Sequence, residues 1–263
     1  MFLYPQYRES PLYTHLKLDV VDSTNTYAKQ HFEELADGSV VSARVQTAGR
    51  GRVGRKWLSS DGLDITASFI FKDLDRPFLA GAITGISAIE MLNEAAPELS
   101  PFLKWPNDIY VRDLKLSGML SEAVWEKGRI RCIICGIGIN VNSGNSMLSC
   151  AGQPAASLYS LTGRSFDTDF LIERLVKIVN RCYIMCRQYP QEVFEKWRQY
   201  NRLIGQQIEV VDPAGKSRTG IFRDVDPDGA MIFEENGVRS LFSCGDVKIN
   251  AESLKFSNLK SQP

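Results

Sequence analysis

The chain has little from which several common kinds of site are built. Only two histidines, His15 and His31, occur in 263 residues, which argues against a histidine-ligated metal and against a Ser/His/Asp triad. Lysine plus arginine number 31, as do aspartate plus glutamate, so the net charge is zero. No overall field therefore draws the protein to nucleic acid or to an anionic membrane. No apolar run approaches the ~18 residues of a membrane span. The first residues, broken by Pro5, Arg8, Glu9 and Pro11, lack both the basic and the apolar part of a signal peptide. A soluble, cytoplasmic protein is expected. Six cysteines, at 132, 135, 150, 182, 186 and 244, are too sparse and irregular for a disulfide-stapled secreted module. Cys132 and Cys135 form a CxxC, but in the strand-like run IRCIICGIGI an offset of three sends the two side chains to opposite faces. With no second ligand pair, a metal site held by the protein is not expected.

What is present is the composition of a globular protein, 44% apolar and 24% charged, enough to bury a sizeable core. The pattern reads as strand (LKLDVVDST), helix (TYAKQHFEEL), strand (GSVVSARVQT), a loop (AGRGRVGRKW), strand (LDITASFIF) and a helix that stops at Pro97. FLKWPNDIYVRDLKLSGMLSEAVW then alternates like a hairpin turning at Arg112 and Asp113, and RIRCIICGIGINVN is a further strand. Two amphipathic helices follow, through DTDFLIERLVKIVNRCYIMCRQY and QEVFEKWRQYNRL. From about residue 204 five short strands separated by turns suggest a small barrel. The expected division is an α/β domain over 1–203, a small β-domain over 204–250 and a polar tail over 251–263.

Residues 44 to 56, RVQTAGRGRVGRK, carry Arg44, Arg50, Arg52, Arg55 and Lys56 and no acidic residue. Gly49, Gly51 and Gly54 let the backbone approach a ligand closely, and the arginines supply fork-shaped donors for phosphate. A polyphosphate or a phosphoanhydride fits that chemistry. The bland alternative is a flexible basic surface loop. GxGxxG is met literally, but a Rossmann loop must open a helix, whereas KWLSSDGLDITASF continues as turn and strand. P-loop spacing is also met, yet Arg55 and Lys56 stand where that motif requires Lys and Ser or Thr.

Three further segments bear on the choice. KWPND, Lys104 to Asp108, sets an aromatic, a proline, an amide and a carboxylate at the start of a strand and alone reads as a structural turn. Lys115 is followed three residues later by Gly118, which puts an alkylammonium beside a place where a ligand can reach the backbone. GIGINVN puts Gly136, Gly138, Asn140 and Asn142 on one face of a strand, a face with little bulk and two amides. Taken together and in order, DSTN (22–25), QTAGRGRVGRKW (46–57), KWPND (104–108), KLSGML (115–120) and GIGINVN (136–142) resemble the biotin–protein ligase family. The resemblance covers about 250 residues, and GRGRxGRxW with KWPND is its specific part.

The resemblance implies a catalytic domain like that of class II aminoacyl-tRNA synthetases, an α/β fold with a mixed sheet and flanking helices, and an SH3-like C-terminal β-barrel. It implies biotin and ATP as substrates with Mg²⁺, and a biotin carboxyl carrier domain as partner. The reaction is formation of biotinyl-5′-AMP followed by transfer to a carrier lysine. Matching positions assign biotin's ring end to Ser23, Thr24, Asn25 and Gln46. Arg50, Gly51 and Arg52 match the loop over biotin and adenylate. Lys115 matches the lysine at the carboxylate and α-phosphate, so the catalytic set is Lys115, Arg50 and Arg52. Arg50, Arg55, Trp57, Asn107, Asp108 and Asn140 match positions around the nucleotide, with Trp57 stacking on adenine and Asp108 reaching a phosphate-bound Mg²⁺. Some relatives carry an N-terminal winged helix that binds operators; with 21 residues before DSTN, operator binding is expected to be absent. A lipoate–protein ligase shares the logic, but no histidine stands near these segments. A nucleic-acid module is opposed by the zero net charge. Whether the protein is a homodimer stays open.

Overall fold

The computed structural model describes residues 13–212 and 215–248; the N-terminal lead and the polar tail at 251–263 lie outside the described residues. Strands β1 (His15–Val21), β2 (Val40–Gln46), β3 (Ile65–Phe71), β4 (Phe102–Lys104), β5 (Asp108–Val111), β6 (Leu114–Glu126) and β7 (Arg129–Ile139) form one sheet in the order β1-β2-β3-β7-β6-β5-β4. Only β1 and β2 run parallel, so the sheet is mixed, as expected. The expected hairpin is in fact a three-strand meander of β4, β5 and β6, because the cis Trp105–Pro106 bond turns the chain between β4 and β5. Its second turn falls where the sequence placed it, with Arg112 at a positive φ of 57°.

Helices α1 (Thr24–His31), α2 (Pro77–Ala95), α3 (Asn145–Leu148), α4 (Leu158–Thr162), α5 (Thr168–Gln188) and α6 (Pro190–Tyr200) complete the chain up to residue 200. α1 is shorter than TYAKQHFEEL and ends at His31. α2 is buried on most sides, and Gly85 lets it approach the sheet so closely that a Cβ there would press on Leu103 and Met119. α5 starts on Asp167, whose side chain accepts from the Phe170 amide at 3.0 Å. Pro190 opens α6 and separates it from α5. α2, α5 and α6 cover one face of the sheet with Phe69, Ile83, Ile137, Leu175 and Trp197 in a continuous apolar cluster. α1 covers part of the other face through Ala28, Ile70, Cys132 and Ile134. Cys132 and Cys135 thus belong to opposite faces, as the alternation requires.

Strands β8 (Gln207–Val211), β9 (Ser217–Val225), β10 (Met231–Glu235), β11 (Val238–Phe242) and β12 (Asp246–Lys248) make a second, antiparallel sheet in the order β11-β10-β9-β8-β12. No ladder joins β11 to β12 among the described residues. Its buried Phe222, Phe233 and Val210 continue the apolar cluster of the first sheet, and Trp105 donates from its indole to the Gly229 carbonyl at 2.9 Å. This packing brings the ends of β8 and β12 to the side of the large sheet that α1 leaves bare.

Candidate active site

A cavity of about 820 Å³ opens on that bare side, within the range of small-molecule sites. Every residue given a site role by the resemblance lines it: Ser23, Thr24, Asn25 and Gln46; Arg50, Gly51, Arg52, Arg55 and Trp57; Asn107, Asp108, Lys115 and Asn140. Asn142, expected on the same face as Asn140, does not, because β7 ends at Ile139 and the Asn142 amide is bonded to the Phe166 main chain. Sequence reasoning missed other parts of the wall. Met147 and Cys150 come from α3 and the turn after it, and Val211, Asp212, Gly245 and Asp246 from the second sheet. Nothing in their local pattern marks them, since only tertiary packing brings them here.

The floor follows from strand pairing. Gly118 and Leu120 of β6 pair with Gly138 and Gly136 of β7, so all four face one way. A Cβ on Gly136 would overlap the Asn25 amide, and one on Gly138 would overlap the Trp57 indole. Asn140 follows on the same face. At ~3.3 Å per residue, Gly136 to Asn140 is a ruler of about 13 Å from the α1 end of the cavity to its far end.

Lys115 belongs to this face for a reason that spacing alone conceals. An offset of three from Gly118 would put it on the opposite side of a regular strand. However, Asp108 pairs with Gly118 and Tyr110 with Lys115, so β6 carries one residue more than β5 over that stretch. The bulge restores the parity. The Lys115 ammonium then stands 2.8 Å from Asp108 Oδ1, with only 12% and 11% of the two side chains exposed. At that distance the ammonium is the charge partner of the buried Asp108 Oδ1. The Lys115 main chain is held by 154–156, donating to the Pro154 carbonyl at 3.1 Å and accepting from the Ala156 amide at 2.9 Å.

At the α1 end, Gln46 Oε1 accepts from the Thr24 amide at 2.8 Å and its hydroxyl at 3.1 Å. That leaves Gln46 Nε2 and the Ser23 hydroxyl without partners among the described residues. Asn25 differs. Its Nδ2 donates to the Leu120 carbonyl at 3.1 Å and to Glu122 at 2.9 Å, and its Oδ1 accepts from the Ser68 hydroxyl at 2.6 Å. Both amide protons are engaged, and the residue is 4% exposed, so Asn25 shapes the cavity instead of offering it a donor.

The arginine–glycine segment folds back on itself. Trp57 donates to the Gly49 carbonyl at 3.0 Å, Gly51 to the Arg55 carbonyl at 2.7 Å, and a 3₁₀ turn spans Arg52–Gly54. No helix follows, which agrees with rejecting the Rossmann and P-loop readings. Three arginines are tied to three different elements. Arg50 grips Glu122 of β6 at 2.7 Å, Arg52 donates to Asn107 Oδ1 at 3.1 Å, and Arg55 pairs with Asp246 of β12. Asn107 passes the connection on by donating to the Met119 carbonyl. Trp57 packs on Gly138, with its indole Nε1 buried and unpaired, a state that costs about 1–3 kcal/mol until an acceptor arrives.

Burial lowers the pKa of the Lys104 ammonium from its ordinary value, partly offset by Asp108; it donates to the Tyr110 hydroxyl at 3.3 Å, on the same face as its strand partner Asp108. Among the described residues no three His, Cys, Asp or Glu side chains group as a metal site, and no helix is long and apolar enough to cross a membrane.

The sequence pattern of the Biotin/lipoate A/B protein ligase family matches residues 18–140. The bifunctional ligase/repressor BirA of Bacillus spizizenii is 31% identical over 235 residues, covering 86% of this chain and 71% of that protein. The biotin–[acetyl-CoA-carboxylase] ligase of Mycobacterium tuberculosis is 29% identical over 242 residues, 88% of each chain. Among solved structures, the biotin protein ligase from Aquifex aeolicus in complex with biotin and ATP superposes with a TM-score of 0.75 at 26% identity, over 89% of this chain and 97% of that one. Likeness of this extent, in sequence and in fold, means that the chain belongs to the biotin/lipoate A/B protein ligase family.

Proposed function

We propose that the protein is a biotin–protein ligase, which activates biotin with ATP and transfers it to a lysine of a biotin carboxyl carrier domain. The observation that carries the reading is the position of Lys115 along the β7 ruler. Its ammonium stands beside Gly118, opposite Gly138 in the middle of that ruler, with Ser23 and Gln46 open to a ligand at the Gly136 end, Asn140 at the other end, and Trp57 packed on Gly138 at the same level. A carboxylic acid with a polar ring head, laid along the floor from Gly136, brings its carboxylate to that ammonium. An ATP entering from the other end brings its α-phosphate to the same point.

In the first step a biotin carboxylate oxygen attacks the α-phosphorus and the bond to the β-phosphate oxygen breaks, giving the mixed anhydride and pyrophosphate. Negative charge gathers at one phosphate, where the fixed cation Lys115 is worth most. Trp57 supplies a flat surface for the nucleotide base. In the second step a deprotonated carrier lysine attacks the anhydride carbonyl and AMP leaves. The residues fit a magnesium ion carried chiefly by phosphate oxygens, since Asp108, the carboxylate at the reacting point, already faces the Lys115 ammonium through Oδ1. When bound, that ion would neutralise the phosphates.

The relatives favour biotin over lipoate: those from Mycobacterium tuberculosis and Paracoccus denitrificans are named as biotin–[acetyl-CoA-carboxylase] ligases, and a solved neighbour is in complex with biotin and ATP. Use of ATP in modifying a carrier domain agrees with a cytoplasmic enzyme. The test is mass analysis of the protein mixed with ATP, Mg²⁺, a carrier domain and either biotin or lipoate. A biotinyl mass gain on one carrier lysine is expected. Exchange of pyrophosphate into ATP that depends on lipoate and not on biotin would reverse the choice.

A further inference from the structure

Glu122 belongs to none of the roles above and does not line the cavity, yet groups from two other elements converge on its carboxylate. It follows Gly118 and Leu120 on the floor face of β6, opposite Ile134. Its Oε2 accepts from Asn25 Nδ2 at 2.9 Å and from Arg50 Nη2 at 2.7 Å. Its Oε1 accepts from Arg50 Nη1 at 3.3 Å and faces the Lys29 ammonium at 3.7 Å. The carboxylate is 19% exposed, whereas Arg50 and Lys29 are each 44% exposed. One shielded anion therefore holds two cations that would otherwise repel one another, one on α1 and one at the base of the arginine loop.

This arrangement fixes two things that the first substrate needs. Arg50 pairs across the loop with Lys56, so pinning its guanidinium from outside sets where the rising leg of the loop leaves the sheet. Asn25 lies against Gly136, and the bond to Glu122 fixes the amide that forms the cavity's end wall. Resting on the proposed function above, we infer that Glu122 is a positioning residue that sets how firmly the arginine loop closes over the first substrate, acting through Arg50 and Asn25 from outside the cavity.

The test is a cycle of Glu122→Gln, Arg50→Gln and the double variant, read by biotin-dependent pyrophosphate–ATP exchange and by trypsin cleavage of the ligand-free loop. Glu122→Gln keeps the side chain's size and its acceptor for Asn25 but loses the charge. It is expected to raise the biotin concentration for half-saturation by ~5- to 10-fold with the maximal rate changed less than ~2-fold, as loss of one partly shielded charge-assisted pair implies. Cleavage at Arg52 and Arg55 should quicken, and the double variant should be no worse than Arg50→Gln alone. Should Glu122→Gln not fold, Arg50→Gln reads the same pair from its exposed side and should give at least that rise, since Arg50 also lines the cavity. An unchanged half-saturation, or effects of the two substitutions that multiply, would overturn the inference. Absence of biotin-dependent exchange in the unsubstituted protein would instead defeat the functional reading, and the ligand-free cleavage rates would still decide whether Glu122 holds the loop; equal rates overturn it.

Discussion

Beneath the cavity, Gly118, Gly136 and Gly138 lie on strands hydrogen-bonded on both sides within the seven-stranded sheet. Above it, the segment from Gly49 to Trp57 hangs on ion pairs and hydrogen bonds to β6, to Asn107 and to β12. A Cβ on Gly136 or Gly138 would overlap Asn25 or Trp57, and one on Gly118 would press on the Lys115 side chain. The arginines above make contacts that are half exposed or nearly so, each worth little and each easily exchanged for a ligand's phosphate. A floor that cannot move and a cover that can is the arrangement needed to hold an intermediate that water destroys. The two regions should fail in different ways when altered.

The largest effect is expected at the junction of the two. Lys115 rises from the floor by way of a bulge, and the proposed function makes it the cation at the reacting phosphate. Lys115→Ala should lower biotin-dependent exchange by at least ~100-fold, the usual size of losing one preorganised charge at a developing anion. Because Asp108 would then lose its ion-pair partner, Lys115→Met serves as the apolar control of similar length and should be as inactive. Near-normal exchange in either variant would remove Lys115 from the chemistry.

A smaller loss is expected from the floor itself. In Gly138→Ala the new methyl group overlaps the Trp57 indole, and β7 is held there by both Thr66 of β3 and Gly118 of β6. The indole has to move, and overpacking of that kind costs enough for a change of ~10-fold. The ATP concentration for half-saturation should rise while that for biotin changes less. Gly136→Ala places its overlap on Asn25 instead and should reverse the preference. If both variants affected both substrates alike, the ruler along β7 would be wrong.

Much of the floor was legible in the sequence because it is written in alternation. Gly136, Gly138 and Asn140 share a parity, and a strand obliges them to share a face. Lys115 was legible only as a neighbour of Gly118, since the bulge that brings them to one side depends on how β5 pairs with β6. The segment 44–56 was conspicuous by charge, but its anchors were not. Glu122 and Asp246 are ordinary acidic residues until the fold sets them against Arg50 and Arg55. Trp105 and Pro106 read as part of a binding motif, yet Trp105 is 1% exposed and bonded to Gly229, so half of KWPND joins the two sheets and half, Asn107 and Asp108, faces the cavity. A contiguous motif does not reveal that division, because a cis turn separates the two roles.

The cover supplies the smallest effect and the most direct contrast. Arg52 reaches Asn107 with a single hydrogen bond at 3.1 Å, and Asn107 is anchored to the Met119 carbonyl. Arg52→Gly removes that tie and adds backbone freedom to a segment that already holds Gly49, Gly51 and Gly54. The floor and Lys115 are untouched, so adenylate synthesis should stay within a few-fold of normal. Retention should not: one lost bond to a charged group predicts release ~5-fold faster or more. Free adenylate acylates whatever amine it meets, so labelling of bystander lysines should rise as labelling of the carrier falls. Measuring adenylate that remains bound through gel filtration separates the two halves of the site. Equal retention would mean that the cover closes without Arg52 and that the ties of Arg50 and Arg55 suffice.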